Sequence, residues 1–312
     1  MRPLRDGLLC AAGAGATTLV WRQLREGRTE GWARRWLRTN HAGREVTLLE
    51  GVALVVGSAG TAVVSGVGSR SGWVTGPGPY AVASVGAGLL GAVDDLREDT
   101  DRKGLGGHLR ALAQGRVTTG AIKILGLAAT GLITVAWDDA RSSRRTSWDA
   151  QPATPGPALK GDRGARHTPA VCLWGTLAGG AVVAGSANLA NLCDLRPGRA
   201  LKVGVLTAVP LVVTGAGSAA GAVTLGVALA LLPDDLSGVS MLGDTGANPL
   251  GATLGLALVQ RQGPLARTLT LAVVTALTLA SERVSFTAVI ESTPVLRDLD
   301  QLGRKPHPSL AT

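Results

Sequence analysis

The sequence contains few aromatic and few charged residues for its length. Its 312 residues include one Phe and one Tyr, and 17% are charged, whereas 46% are apolar. The mean hydropathy of +0.25 is too high for an ordinary soluble chain. The apolar residues are gathered in stretches close to the length that crosses a hydrocarbon layer of roughly 30 Å. These features predict a membrane protein and exclude a soluble nucleic-acid-binding protein, despite the formal net charge of +9.

Residues that build disulfides, zinc sites and nucleophilic centres are also scarce. The three cysteines, Cys10, Cys172 and Cys193, are odd in number and do not have the spacing of metal ligands. His41 and His307 each stand apart from other candidate ligands. We therefore expect free thiols, and neither a zinc site nor a catalytic triad.

Glycine is abundant, with 44 residues. Small residues let helix backbones approach closely inside a membrane, so the composition favours an all-α, polytopic bundle of tightly packed helices. Residues 1–290 are predicted to form this single transmembrane domain, followed by a polar tail over 291–312. Hydropathy and its polar boundaries predict nine spans. They cover residues 4–21, 46–68, 79–95, 118–137, 168–192, 200–214, 217–233, 247–260 and 264–290.

Residues 200–233 allow two interpretations. As one helix they would be about 51 Å long at about 1.5 Å per residue, well beyond the thickness of the hydrocarbon layer. The small residues of 214–218 are typical of a turn. Two short helices are therefore expected, and the side of the membrane assigned to every later residue depends on this choice.

Basic residues orient the predicted bundle, because cytoplasmic loops carry an excess of Lys and Arg. The basic residues of the loops were counted together with those just inside the ends of the spans. The side that includes the C-terminal tail holds 19 of them, and the other side holds 11. The 19-residue side is predicted to be cytoplasmic. The polar loop 138–167 would then be extracytoplasmic, which a long loop tolerates despite its six basic residues. The predicted location is the inner (plasma) membrane of a bacterium, because Arg greatly outnumbers Lys, as a GC-rich coding sequence would produce.

Four carboxylates lie at predicted span ends. Asp94 and Asp95 close the third span, Asp194 closes the fifth and Asp244 opens the eighth. With nine spans, all four lie at the cytoplasmic face. Adjacent carboxylates repel each other and need a cation or a shared proton, so a Mg²⁺ site is predicted there. The structural alternatives are a charged stop at the membrane edge for the Asp pair and a helix cap for Asp244.

Amides and cations accompany these acids. Asn188 and Asn191 share one face of a helix, where they would bind a sugar or phosphate, or pair with a neighbouring helix. Lys103 and Arg110 follow the Asp pair and suit a pyrophosphate or a lipid phosphate. Arg97, Arg102 and Arg116 of the loop 96–117 suit anionic lipid headgroups nearly as well as a substrate phosphate.

In these motifs the sequence resembles the polyprenyl-phosphate N-acetylhexosamine-1-phosphate transferases, also called glycosyltransferase family 4. Three ordered motifs carry the resemblance, and together with two weaker segments they span most of residues 40–290. The motifs are Gly91–Asp95 with Lys103–Leu105 and Arg110, then Asn188–Asp194, then Gly243–Ala247 with Leu250–Gly251. The weaker segments are Asn40–Glu50 and Glu282–Ile290.

The resemblance implies that a polyprenyl phosphate attacks the β-phosphate of a UDP-HexNAc, giving a polyprenyl-diphosphate sugar and UMP for a cell-envelope polymer. It implies Mg²⁺, with Mn²⁺ as a substitute, held by Asp244 with Asp95. Asp94 would orient or deprotonate the lipid phosphate, and Asp194 would assist the bound substrates. Lys103 would neutralise phosphate together with Arg110. The implied partners are the lipid phosphate, the nucleotide sugar and membrane lipids, and a homodimer is compatible with the sequence.

The sequence departs from the family pattern after Asp194. The family continues Gly-Leu-Asp-Gly-Leu-Ala, whereas this chain has Leu195-Arg196-Pro197-Gly198-Arg199-Ala200. The family also has a His-rich motif near the nucleotide and a tenth helix, for which residues 293–312 are too polar and too short. Arg196, Arg199 or Arg304 would have to replace the missing histidines.

These departures leave a second interpretation open, in which the chain is a catalytically silent relative that binds a lipid-linked sugar or scaffolds envelope enzymes. A transporter is the third interpretation. Its path would need polar groups in the middle of the bilayer, and Lys123 is the clear candidate. Acids gathered at one face favour chemistry at the membrane surface over passage through it.

Overall fold

The structure is a computed structural model that describes residues 2–27, 30–40, 43–66, 78–97, 107, 113–115, 118–149, 168–214 and 219–304. The side chains of Arg2 and of 144–149 lie outside the description. The described chain is mainly helical, as the predicted all-α class requires. Nine long helices are α1 (Arg2–Glu26), α2 (Leu49–Ser65), α3 (Pro79–Leu96), α4 (Thr119–Asp149), α5 (Pro169–Cys193), α6 (Arg199–Val213), α7 (Ala219–Leu236), α8 (Gly243–Val259) and α9 (Pro264–Ser281). Two short helices, α10 (Phe286–Ser292) and α11 (Pro294–Gln301), follow them.

Four of the long helices are long and apolar enough to cross a membrane: 119–143 in α4, and all of α5, α7 and α9. Their outward faces are apolar. On α9, for example, Leu265, Leu269 and Val273 are each more than half exposed. Such a surface is stable against lipid and unstable against water. The chain is therefore a membrane protein.

Residues 200–233 form two helices, as the turn-like residues predict. Helix α6 ends at Val213, and α7 begins at Ala219 and packs back against α6. A single continuous helix could not make this contact. Residues 215–218, which carry most of the predicted turn, lie outside the described residues.

Two predicted boundaries are wrong. Helix α4 continues through residues 138–149, for which the sequence predicts a polar loop, because its acids bond to α9 and to the end of α8. Asp139 accepts two 2.8 Å hydrogen bonds from Arg267, and Asp138 accepts one of 2.9 Å from Gln260. The ninth span was predicted to run to residue 290, but α9 ends at Ser281. A separate helix, α10, then begins where the Ser285 hydroxyl accepts from the Ala288 N–H.

Helix α8 is the centre of the bundle and packs against α2, α3, α5, α6 and α7. All but two of its residues are buried. Glycines make these contacts close, as the composition predicts. A Cβ on Gly91 of α3 would overlap the Asp244 carbonyl group, and one on Gly51 of α2 would overlap the Leu242 carbonyl oxygen. Backbone packed on backbone thus fixes the start of α8.

Gly91→Ala should destabilise the protein because the new methyl group would meet backbone atoms that cannot rotate away. Overpacking of this kind costs about 1–3 kcal/mol, and we expect a melting temperature in detergent lower by roughly 2–9 °C. Gly60→Ala, also in a helix, is the matched control, because no atom lies within 4 Å of its Cβ position. Equal melting temperatures for the two variants would contradict the close approach of α3 and α8.

A short antiparallel hairpin covers one end of the bundle. Strand β1 (Leu37–Thr39) follows a 3₁₀ helix at Gly31–Trp36 and pairs with β2 (Glu45–Thr47). The Thr47 carbonyl oxygen accepts a 3.1 Å hydrogen bond from the Met241 N–H, which joins the hairpin to the segment before α8. We call the end of the bundle that the hairpin covers the acidic end. It contains the C-terminal ends of α1, α3, α5 and α7 and the N-terminal ends of α2, α4, α6 and α8.

Candidate functional site

Two of the predicted acids share one cation at the acidic end. The Lys123 ammonium lies 3.2 Å from Asp94 Oδ2 and also donates to Asp244 Oδ2. The three side chains are between 15% and 31% exposed, so the cluster is accessible from outside the bundle. The sequence predicts Lys123 to lie in the middle of the bilayer. That prediction is wrong, because Lys123 is in the second turn of α4 and reaches the acids at the helix ends.

Asp95 binds the first turn of α8. Its Oδ2 accepts hydrogen bonds from the Thr245 N–H at 2.8 Å and the Thr245 hydroxyl at 2.6 Å, and its Oδ1 accepts from the Asp244 N–H at 3.1 Å. A carboxylate at this position satisfies N–H groups that the helix leaves unpaired and interacts favourably with the helix dipole. Asp95 therefore acts as the N-terminal cap that the sequence suggested for Asp244.

The two glycines of the Gly243–Gly246 motif are required for different reasons. Gly243 has φ +59°, a left-handed conformation that L-residues rarely adopt, and a Cβ there would lie 2.9 Å from Asp95 Oδ2. A Cβ on Gly246 would lie 2.7 Å from the Gly51 Cα. The motif thus lets α8 begin directly against α2 and against the Asp95 carboxylate.

Asp194 lies behind this turn, directly after α5. It is 6% exposed, and its Oδ2 has no hydrogen-bond partner. Burial raises the pKa of Asp194 well above its usual value, and the neighbouring Asp235 raises it further, whereas the Gly243 N–H lowers it. Asn188 and Asn191, the predicted substrate-binding amides, are half-buried on the same helix.

The predicted arginines turn away from this cluster. Arg199 is 3% exposed and is bound to Asp300, with N···O distances of 2.8 and 3.0 Å, and to the Thr287 hydroxyl. Arg196 pairs with Glu291 at 3.4 Å. Both contacts are to the segment that includes α10 and α11, so these residues hold that segment against the bundle. Lys103 and Arg110 lie outside the described residues.

Sequence reasoning missed two charged residues here, Glu50 and Asp235, and placed a third, Lys123, in the wrong part of the bundle. Lys123 is a lone charged residue in an apolar stretch, one turn from the start of its helix. That position was the available signal that it belongs to the site at the helix ends. Glu50 and Asp235 are buried at the acidic end, 0% and 1% exposed. Asp235 follows an apolar stretch on the side predicted to be cytoplasmic, so the criterion that selected Asp94 and Asp244 would have found it, whereas Glu50 lies within the predicted span 46–68.

Among the described residues, no group of three or more His, Cys, Asp or Glu side chains is placed to hold a metal ion. The acids nevertheless offer a pair, Asp94 and Asp244, that already shares one cation. A divalent ion bound here would take its other ligands from substrate or water.

Compared with known proteins, the chain matches no protein-family model and no curated protein.

Proposed function

We propose that the chain transfers a HexNAc-1-phosphate from a UDP-sugar to a polyprenyl phosphate, yielding a polyprenyl-diphosphate sugar and UMP. One observation carries the proposal. Asp95 of α3 and Asp244 of α8 are 149 residues apart in sequence, yet they meet beside Asp94 and Lys123. Two of the three motifs whose order resembles the transferase family therefore converge on one accessible cluster, as a shared reaction centre requires, and the third motif ends at Asp194, which is buried behind it.

We further propose that all nine long helices cross the plasma membrane of a bacterium and that the acidic end faces the cytoplasm. The excess of basic residues on that side supports this orientation. A polyprenyl phosphate carries its phosphate at the membrane surface, and a UDP-sugar is water-soluble. A cluster at helix ends is the place where the two substrates can meet.

Phosphoryl transfer depends mainly on positioning and charge neutralisation. Lys123 would neutralise phosphate oxygens, since its side chain is 15% exposed and its ammonium is held by two carboxylates. Asp94 would orient the attacking lipid phosphate and accept its proton where it carries one. Asp95 would hold the first turn of α8 in place and thereby position Asp244.

The Asp94–Asp244 pair fits Mg²⁺, which takes one or two carboxylates and completes its shell with phosphate oxygens and water. We propose these two residues as its ligands, with Mn²⁺ as a substitute. Asp95, predicted as a ligand from sequence, supports the pair through the helix cap. A bound ion would neutralise the diphosphate of the donor.

Transfer of labelled HexNAc-1-phosphate tests the proposal. The purified protein would receive UDP-GlcNAc, UDP-GalNAc or UDP-MurNAc-pentapeptide with undecaprenyl or decaprenyl phosphate, with and without Mg²⁺. We expect a lipid-linked product from one donor that disappears when the ion is chelated. A folded protein that is inactive with every donor, beside an active transferase in the same assay, would reject the proposal.

The second candidate is a silent relative that binds a lipid-linked sugar or scaffolds envelope enzymes. The Lys123 contacts favour it, because the ammonium lies where a cation shared by Asp94 and Asp244 would bind. The engagement of Arg199 by Asp300 also removes a predicted phosphate contact. Binding of a lipid-linked sugar without turnover in the same experiment would support this function.

A further inference from the structure

Glu50, the second residue of α2, is the least expected charged group of the protein. It is 0% exposed, and neither carboxylate oxygen has a hydrogen-bond partner. Within the described chain it forms no ion pair with a basic residue. A buried, unpaired carboxylate is strongly unfavourable, and such groups take up a proton or bind a cation.

The groups around Glu50 are unpartnered too. The Ser240 hydroxyl lies beside it, and Asp235 and Asp194 act on it electrostatically. Ser240 Oγ, Asp235 Oδ2 and Asp194 Oδ2 have no hydrogen-bond partners, and these three residues are at most 6% exposed. Side chains from α2, from the ends of α5 and α7, and from the segment before α8 thus leave five polar atoms unsatisfied in one buried region.

Asp235 has more partners than Glu50. Burial opposes its negative charge, but its Oδ1 accepts a 3.1 Å hydrogen bond from the Gly198 N–H, and Arg304 and Lys202 favour the charge. Asp234, which also acts on Glu50, accepts from Trp21 and Arg25. Asp194 has a backbone donor, the Gly243 N–H, whereas among the described residues Glu50 has beside it the Ser240 hydroxyl and neither a backbone N–H nor a cation, so a proton in this cluster belongs on Glu50.

We propose that Glu50 is a neutral, proton-carrying acid that hydrogen-bonds within the buried cluster of Asp194, Asp235 and Ser240. The proton on Glu50 lets the carboxyl groups of Glu50, Asp194 and Asp235 approach one another without a metal ion. Glu50 thereby holds Asp194 against the Gly243–Asp244 turn. Glu50 is thus a positioning residue for the cluster that contains Asp244. The effect on turnover rests on the proposed transferase function, whereas the proton itself does not.

Infrared spectroscopy of the purified full-length protein tests the proton directly. At pH 7 we expect the carbonyl stretching band of a protonated carboxylic acid, and Glu50→Gln should remove one carboxyl's worth of its intensity. Glu45→Gln, at an exposed position in β2, is the matched control and should leave the band unchanged. A band unaffected by Glu50→Gln would overturn the proposal. Absence of the band, with a melting temperature raised by added Mg²⁺, would replace the proton with a cation and equally overturn it.

Transfer assays on a second variant pair test the positioning role. Glu50→Gln keeps a hydrogen-bond donor of the same shape, whereas Glu50→Leu keeps volume without a donor. We expect kcat to fall about tenfold or more for Glu50→Leu and to stay within about threefold of wild type for Glu50→Gln. Equal losses would show a merely structural site and overturn the positioning role. If Glu50→Leu does not fold, the infrared result on Glu50→Gln decides.

These experiments separate the two proposals. A wild-type protein that shows the Glu50-dependent band but no transfer retains the proton site and loses the transferase function. A protein that transfers sugar phosphate but whose band does not change in Glu50→Gln retains the function and loses the proton site.

Discussion

Asp244→Asn should reduce sugar-phosphate transfer by at least about 100-fold, the scale of losing one charge-stabilising group in an active site. The substitution removes the carboxylate that contacts Lys123 and that we propose as a Mg²⁺ ligand, while it preserves side-chain shape. The protein should still fold and insert, because the cap of α8 uses the Asp95 side chain and backbone N–H groups, which the substitution leaves in place. Lys123 also keeps its contact with Asp94.

Initial rates at saturating donor and lipid phosphate, with the melting temperature measured on the same samples, would separate lost chemistry from lost folding. Asp298→Asn is the control, because the Asp298 side chain is 71% exposed on α11 and pairs with Arg297, not with a residue of the cluster. Undiminished transfer by Asp244→Asn would remove this residue from the reaction.

Much of the bundle could be predicted from the sequence because lipid imposes a simple rule. Backbone groups inside a membrane must bond within their own helix, so an apolar stretch of sufficient length is a helix. Each of the nine predicted stretches coincides in large part with one long helix, and the small residues at 214–218 marked the break between α6 and α7. The convergence of Asp94, Asp95 and Asp244 then follows from counting helices, and the structure brings these three together.

Partners could not be predicted, because the hydropathy pattern does not encode which side chains meet across the bundle. Asp95 and Asp244 were both candidate ligands, yet the structure makes Asp95 the cap of α8. Glu50 was hidden in an apolar stretch because one acid barely changes the mean hydropathy. Arg199 was assigned to phosphate because its motif lies beside Asp194, but it binds a segment about 100 residues later in the chain.

The second prediction with a large expected effect concerns this C-terminal segment. Residues 286–304 are held to the start of α6 by the buried pair of Arg199 and Asp300, whose side chains are 4% and 7% exposed. Arg304 adds a 2.7 Å contact to the same carboxylate, and Lys202 donates to the Asp300 carbonyl oxygen. Removing one partner of a buried pair leaves an uncompensated charge, which costs about 3–5 kcal/mol.

Asp300→Asn should therefore release the segment, and amide hydrogen exchange over 286–304 should become about 10²- to 10⁴-fold faster. Asp298→Asn on the same helix should change little, because its exposed pair with Arg297 contributes about 1 kcal/mol or less. Equal effects of the two variants would contradict the role of the buried pair.

Acid should reproduce the effect of Asp300→Asn in the wild-type protein. Although burial raises the pKa of Asp300, hydrogen bonds and charge from Arg199 and Arg304 outweigh it and hold the pKa below its usual value. A carboxylate with a lowered folded-state pKa contributes its full stability above the unfolded value of about 3.9 and loses it as the pH falls through the folded value. Exchange over 286–304, corrected for the intrinsic pH dependence, should thus stay slow down to about pH 4 and accelerate below it. In Asp300→Asn the corrected rate should be fast throughout, because no carboxylate remains to be protonated. A wild-type segment still protected well below that pH would mean that contacts other than the Asp300 carboxylate hold it to the bundle.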